Sequence, residues 1–279
     1  MPPQTDVEGG YKFLSAVLFL LVALPLAGYA IFPGNSYASF LSYPSRLLLV
    51  PIHEFGHLIL IYFTEFSGIP SSYMDTPIRM TGSLFEVFVP FVFVFFFIFG
   101  SRRYALACLL LVVAGSALIN WGAYIKSASN PSGSGINPYM ELAEVSLENH
   151  DWYRVLSRYN ALDKAELLGD MLMGLGFVVA LMGFFSSVFE VNLVLNYGSS
   201  SDFMLLMLYG SIPTLILSLA YFKPSRIVFS LLLLIPLLIH FYKKVLPGLE
   251  EEMEEVDEEI KEEEAENEGK KNQTNSKVS

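Results

Sequence analysis

The chain has 279 residues, 53% of them hydrophobic, and a mean hydropathy of +0.48. That is too apolar for an ordinary soluble domain. Its single cysteine, Cys108, excludes a disulfide framework and a cysteine-based zinc site. The net charge of −11 sits mostly in Glu250–Ser279, with 13 acids and 4 bases; the other 15 acids and 13 bases nearly cancel, leaving no basic surface for nucleic acid.

The first ten residues are polar, with neither a basic segment nor a small-residue cleavage site, so no removable signal peptide is read there. Seven apolar runs then follow as candidate spans: Tyr11–Phe32, Arg46–Phe66, Ser83–Phe99, Tyr104–Ile125, Met171–Phe189, Met204–Phe222 and Ile227–Leu246. Each approaches the roughly 20 residues that a bilayer-crossing helix needs. The predicted fold is an all-α polytopic transmembrane bundle of about six to seven spans. It comprises a polar N-terminus (1–10), a membrane domain (11–246) with a polar loop at 126–168, and an acidic tail (247–279). Membrane lipid is the expected surrounding, as a multi-pass protein of the cell membrane. Basic residues fall on both sides of the predicted bundle, so the positive-inside rule does not choose an orientation.

The second run, RLLLVPIHEFGHLILIYFTEF, carries His53, Glu54 and His57 near its middle. A charged side chain at the centre of a span costs roughly 2.5–3.5 kcal/mol on insertion scales, which calls for a functional reason. His53 and His57 are four residues apart, so on a helix their rings share one face. Two imidazoles so placed can hold one Zn²⁺, and the intervening Glu54 stands beside the metal as a general base rather than a ligand. The plainer alternative is a set of polar groups satisfied by neighbouring helices. Gly56 leaves room for substrate or another helix. In the third run, Pro90 predicts a kink. Glu86 reads either as an interfacial carboxylate reaching water or as support for the metal site.

Between the fourth and fifth runs lies the longest polar segment. Ser127–Pro138 reads as a flexible loop, Tyr139–Asn149 as helical, and Tyr153–Leu168 as one amphipathic stretch. A catalytic zinc needs a third ligand. His150, just before a predicted helix and next to Trp152, is the favoured candidate, with Asp151 orienting a ring or capping that helix. Asp151 and Asp170 are the alternative ligands. His240 reads as interfacial. The tail repeats Leu249, Met253, Val256 and Ile260 at helical spacing, although a solvated, partly disordered acidic tail is the simpler reading.

An HExxH within a transmembrane helix, here HEFGH, resembles the site-2-protease group of intramembrane zinc metalloproteases. In that group an Asp in an LDG-type motif opens a later membrane helix and completes the site. Here Leu162-Asp163-Lys164 and Leu168-Gly169-Asp170 are fragments of such a motif, and His150-Asp151-Trp152 looks like that of a divergent branch. The resemblance implies zinc-dependent peptide-bond hydrolysis within or at the surface of the membrane. Transmembrane proteins would be the substrates, and Glu54 would take a proton from the water the zinc activates. Two other classes remain open: an inactive scaffold that binds transmembrane helices, and a transporter or channel.

Overall fold

A computed structural model describes residues 10, 14, 16–32, 47, 49–129, 150–197, 203–220 and 223–245. The polar N-terminus up to Gly9, most of the Ser127–Pro138 loop, Tyr139–Asn149 and the acidic tail lie outside the described residues. The chain divides into two compact units, Met1–Leu234 and Ile235–Ser279.

All described secondary structure is helical. We number the helices α1 (Ala16–Ile31), α2 (Leu49–Ser67), α3 (Ser71–Phe95), α4 (Tyr104–Ser127), α5 (Asp151–Arg158), α6 (Ala165–Tyr197), α7 (Phe203–Ala220) and α8 (Pro224–His240). Among the described residues, five helical segments are long and apolar enough to cross a membrane: Ser72–Gly100, Tyr104–Ser127, Leu162–Leu193, Phe203–Ala220 and Pro224–Lys243. They support an integral membrane protein with an all-α fold. α1 is shorter, and α2 is not among the five, its apolar character being diluted by His53, Glu54, His57 and Glu65.

The core of the first unit is the antiparallel-neighbour pair α4 and α6, which approach backbone to backbone. A Cβ added at Gly122 would stand 2.6 Å from the Gly169 carbonyl, at Gly176 2.5 Å from the Gly115 carbonyl, and at Gly183 2.7 Å from the Cys108 carbonyl. Small residues let apolar helices pack this closely where lipid offers no hydrophobic drive for association. Cys108 is fully buried at this seam. α1 lies on the pair, with Ala23 and Leu26 against Val112 and with Tyr29 Oη donating to Asn120 Oδ1 at 3.0 Å. α7 packs on α6, where Ser186 Oγ donates to the Leu206 carbonyl at 2.7 Å.

Two boundaries differ from the sequence-based expectation in ways that matter for the site. Helix α3 begins at Ser71, well before the expected Ser83, and it runs on through Pro77 and Pro90. The polar start, with Asp75, Arg79 and Thr81, hid the first turns from a reading based on apolar length. The expected Tyr153–Leu168 stretch is broken: α5 ends at Arg158, Asn160 takes φ 51°, and a 3-10 turn at Leu162–Lys164 leads into α6. Asn tolerates this left-handed conformation better than most residues, so the helix ends in a turn here at low cost.

Candidate metal centre

Helix α2 brings His53 and His57 to one face, with ring centroids 4.7 Å apart. That face packs on α3, and Gly56 allows the contact: a Cβ there would meet the Thr81 carbonyl at 2.7 Å. Of the two roles expected for Gly56, admitting another helix is the one the structure displays. Opposite the rings stands Gly82 of α3. A Cβ at Gly82 would come 2.5 Å from His57 Nε2 and 2.6 Å from His53 Nε2. Both Nε2 atoms therefore converge on the space that this missing side chain leaves.

The other ring nitrogens are tied to α3. His53 Nδ1 lies 2.5 Å from Glu86 Oε1, and His57 Nδ1 lies 2.6 Å from the Ile78 carbonyl oxygen. Both partners are acceptors, so each Nδ1 carries the proton and donates. That leaves an Nε2 lone pair on each ring turned inward. A carboxylate or carbonyl on the far nitrogen is the usual companion of a metal-ligating histidine. Glu86 is almost fully buried and thus supports the site rather than reaching out to interfacial water.

The third group comes from α5. Asp151 Oδ2 lies 3.6 Å from His57 Nε2, and one donor atom each from His53, His57 and Asp151 falls within a common 4.8 Å. Asp151 is fixed on several sides. Arg79 Nη1 donates to its Oδ1 at 2.9 Å, Tyr124 Oη donates to its Oδ2 at 3.5 Å, and its own backbone N–H donates to Tyr124 Oη at 3.2 Å. Further along α5, Trp152 Nε1 donates to Ser83 Oγ and Arg158 Nη1 donates to Thr76 Oγ1, which fastens the short helix along α3.

His150, the favoured third ligand from sequence, is placed differently. It is the N-cap of α5, where Nδ1 accepts from the Tyr153 N–H at 3.2 Å. Its Nε2 lies 2.8 Å from Ser127 Oγ, whose own proton goes to the Tyr124 carbonyl. Nε2 must therefore carry the ring proton and donate it. Both nitrogens are spent, and no lone pair remains for a metal. The ring stacks on Tyr124 at 4.4 Å, and burial holds its pKa down to about 4, so the neutral capping form prevails. Adjacent residues face different ways, so with His150 turned inward as the cap, Asp151 reaches the two histidines. Asp170 is engaged elsewhere, 2.8 Å from Lys126 Nζ, and His240 belongs to the second unit.

Glu54, one residue on from His53, is exposed and lines a cleft of ≈ 280 Å³ with His57, Ile61, Asp75, Ile78, Arg79 and Asp151. Two imidazoles and one carboxylate could hold a metal ion, with an open side toward the cleft that Glu54 lines. The residues present thus fit such an ion. Gly82, Ile78, Asp75 and Arg79 were not singled out as site residues from sequence. The available signal was the Asp75–Arg79 pair at i, i+4, which marks a helical face.

No family model, curated protein or solved structure matches the chain.

Proposed function

We propose that the protein is a zinc metallopeptidase that hydrolyses peptide bonds of membrane protein substrates within the bilayer or at its surface. One observation carries this reading. His53, His57 and Asp151 converge from two separate elements, with both histidines held by α3 in the tautomer that presents Nε2. A Zn²⁺ held by these groups would acidify a water and polarise a substrate carbonyl. Glu54, beside the site in the cleft, accepts the proton of the attacking water and passes it to the leaving amine as the C–N bond breaks. A substrate helix keeps its carbonyls in internal hydrogen bonds, so it must unwind locally before one can enter the cleft.

The test is turnover of a panel of single-span membrane proteins by the purified, zinc-loaded chain and by its Glu54→Gln variant. The wild type should cleave at least one substrate. The variant should retain zinc and lose at least about 10²-fold in rate, as expected on removal of a general base. Cleavage by Glu54→Gln at the wild-type rate refutes the assigned base. Absence of cleavage by a zinc-containing wild type across the panel favours a helix-binding scaffold that keeps the metal as a clamp.

A further inference from the structure

The third donor, Asp151, comes from a different element than the two histidines, so something must hold its carboxylate at the right place and angle. Arg79 is built to do so. It lies on α3 one turn before Gly82, on the same stretch of helix whose Ile78 carbonyl fixes His57. Its guanidinium is a fork between two carboxylates: Nε donates to Asp75 Oδ1 at 3.0 Å and Nη1 to Asp151 Oδ1 at 2.9 Å. Its planar donors leave little rotational freedom once two are engaged. Oδ1 of Asp151 is thereby occupied, and Oδ2 faces His57.

We propose that Arg79 is the positioning residue of the metal centre: anchored by Asp75, it occupies one oxygen of Asp151 and presents the other as a single-oxygen ligand. The proposal rests on the metal-site reading above and extends it. A cation this close to a site for a divalent cation is unfavourable by Coulomb's law alone. Simple electrostatics therefore predicts that removing Arg79 tightens metal binding. Positioning predicts the reverse, because loss of an outer partner of a ligand typically costs 10–100-fold in metal affinity.

The experiment is Co²⁺ and Zn²⁺ titration of the full chain in detergent, following the visible d–d bands of bound Co²⁺. Wild type, Arg79→Met, Arg79→Lys, Lys164→Gln and His57→Ala are compared. Wild type should bind one ion, and His57→Ala should abolish binding. Arg79→Met should bind at least about tenfold more weakly, with altered d–d bands. Arg79→Lys keeps the charge but cannot bridge both carboxylates with one rigid fork, so it should recover only part of the affinity and not the wild-type spectrum. Lys164→Gln removes an exposed cation that pairs with Asp163 at 3.0 Å and with no group of the metal centre, and it should leave the spectrum unchanged. Unchanged or tighter binding with a wild-type spectrum in Arg79→Met overturns the proposal. If that variant does not fold, the same result in Arg79→Lys overturns it. A wild type that binds no ion instead removes the metal-site reading itself.

Discussion

At the scale of single residues, the site depends on which ring nitrogen carries the proton. Glu86 and the Ile78 carbonyl settle that for His53 and His57, and the Tyr153 N–H and Ser127 settle it the other way for His150. Glu86→Gln keeps the shape but weakens the charge-assisted hydrogen bond to His53. Zinc affinity should fall about 10–100-fold, measured by competition with a chromophoric chelator. Gly82→Ala is a sharper probe, since its methyl would stand within 2.6 Å of both Nε2 atoms. It should abolish metal binding while the protein remains folded by circular dichroism. Wild-type affinity in Gly82→Ala would mean that the rings do not converge over that glycine.

At the scale of elements, much was legible and the rest was hidden for physical reasons. Long apolar runs revealed the membrane helices, and the four-residue spacing of His53 and His57 placed both rings on one helix face. The start of α3 was hidden because Asp75, Arg79 and Thr81 break the apolar pattern, although they form the face that supports the site. The choice between His150 and Asp151 was hidden too. Either residue type can cap a helix or bind a metal, and only the direction of entry into α5 makes His150 the cap and brings Asp151 within reach of His53 and His57. The same placement predicts the outcome of His150→Asn, which exchanges one capping acceptor for another. Metal stoichiometry should persist, with a stability loss of no more than about 1–2 kcal/mol in thermal unfolding. The α4–α6 seam makes a separate prediction. Gly176→Leu forces a side chain against the Gly115 carbonyl and should destabilise the fold by roughly 1–3 kcal/mol or more, read as a lower unfolding midpoint in detergent.

At the scale of the whole molecule, the α4–α6 pair forms the scaffold and α3 is the template; α2 directly precedes α3 in the chain, and α5 is brought to it from a distant part of the sequence. The ion would join α2 to α5, so binding should stabilise the folded chain by linkage. Free zinc at 100 times its dissociation constant contributes about 2.7 kcal/mol, and a chelator removes that contribution. The most direct test is the metal content of purified wild-type, Asp151→Ala and His150→Asn proteins by inductively coupled plasma mass spectrometry. One zinc per chain should be found in wild type and in His150→Asn, and close to none in Asp151→Ala. A metal-free wild type, or zinc kept by Asp151→Ala and lost by His150→Asn, would contradict a centre built from His53, His57 and Asp151.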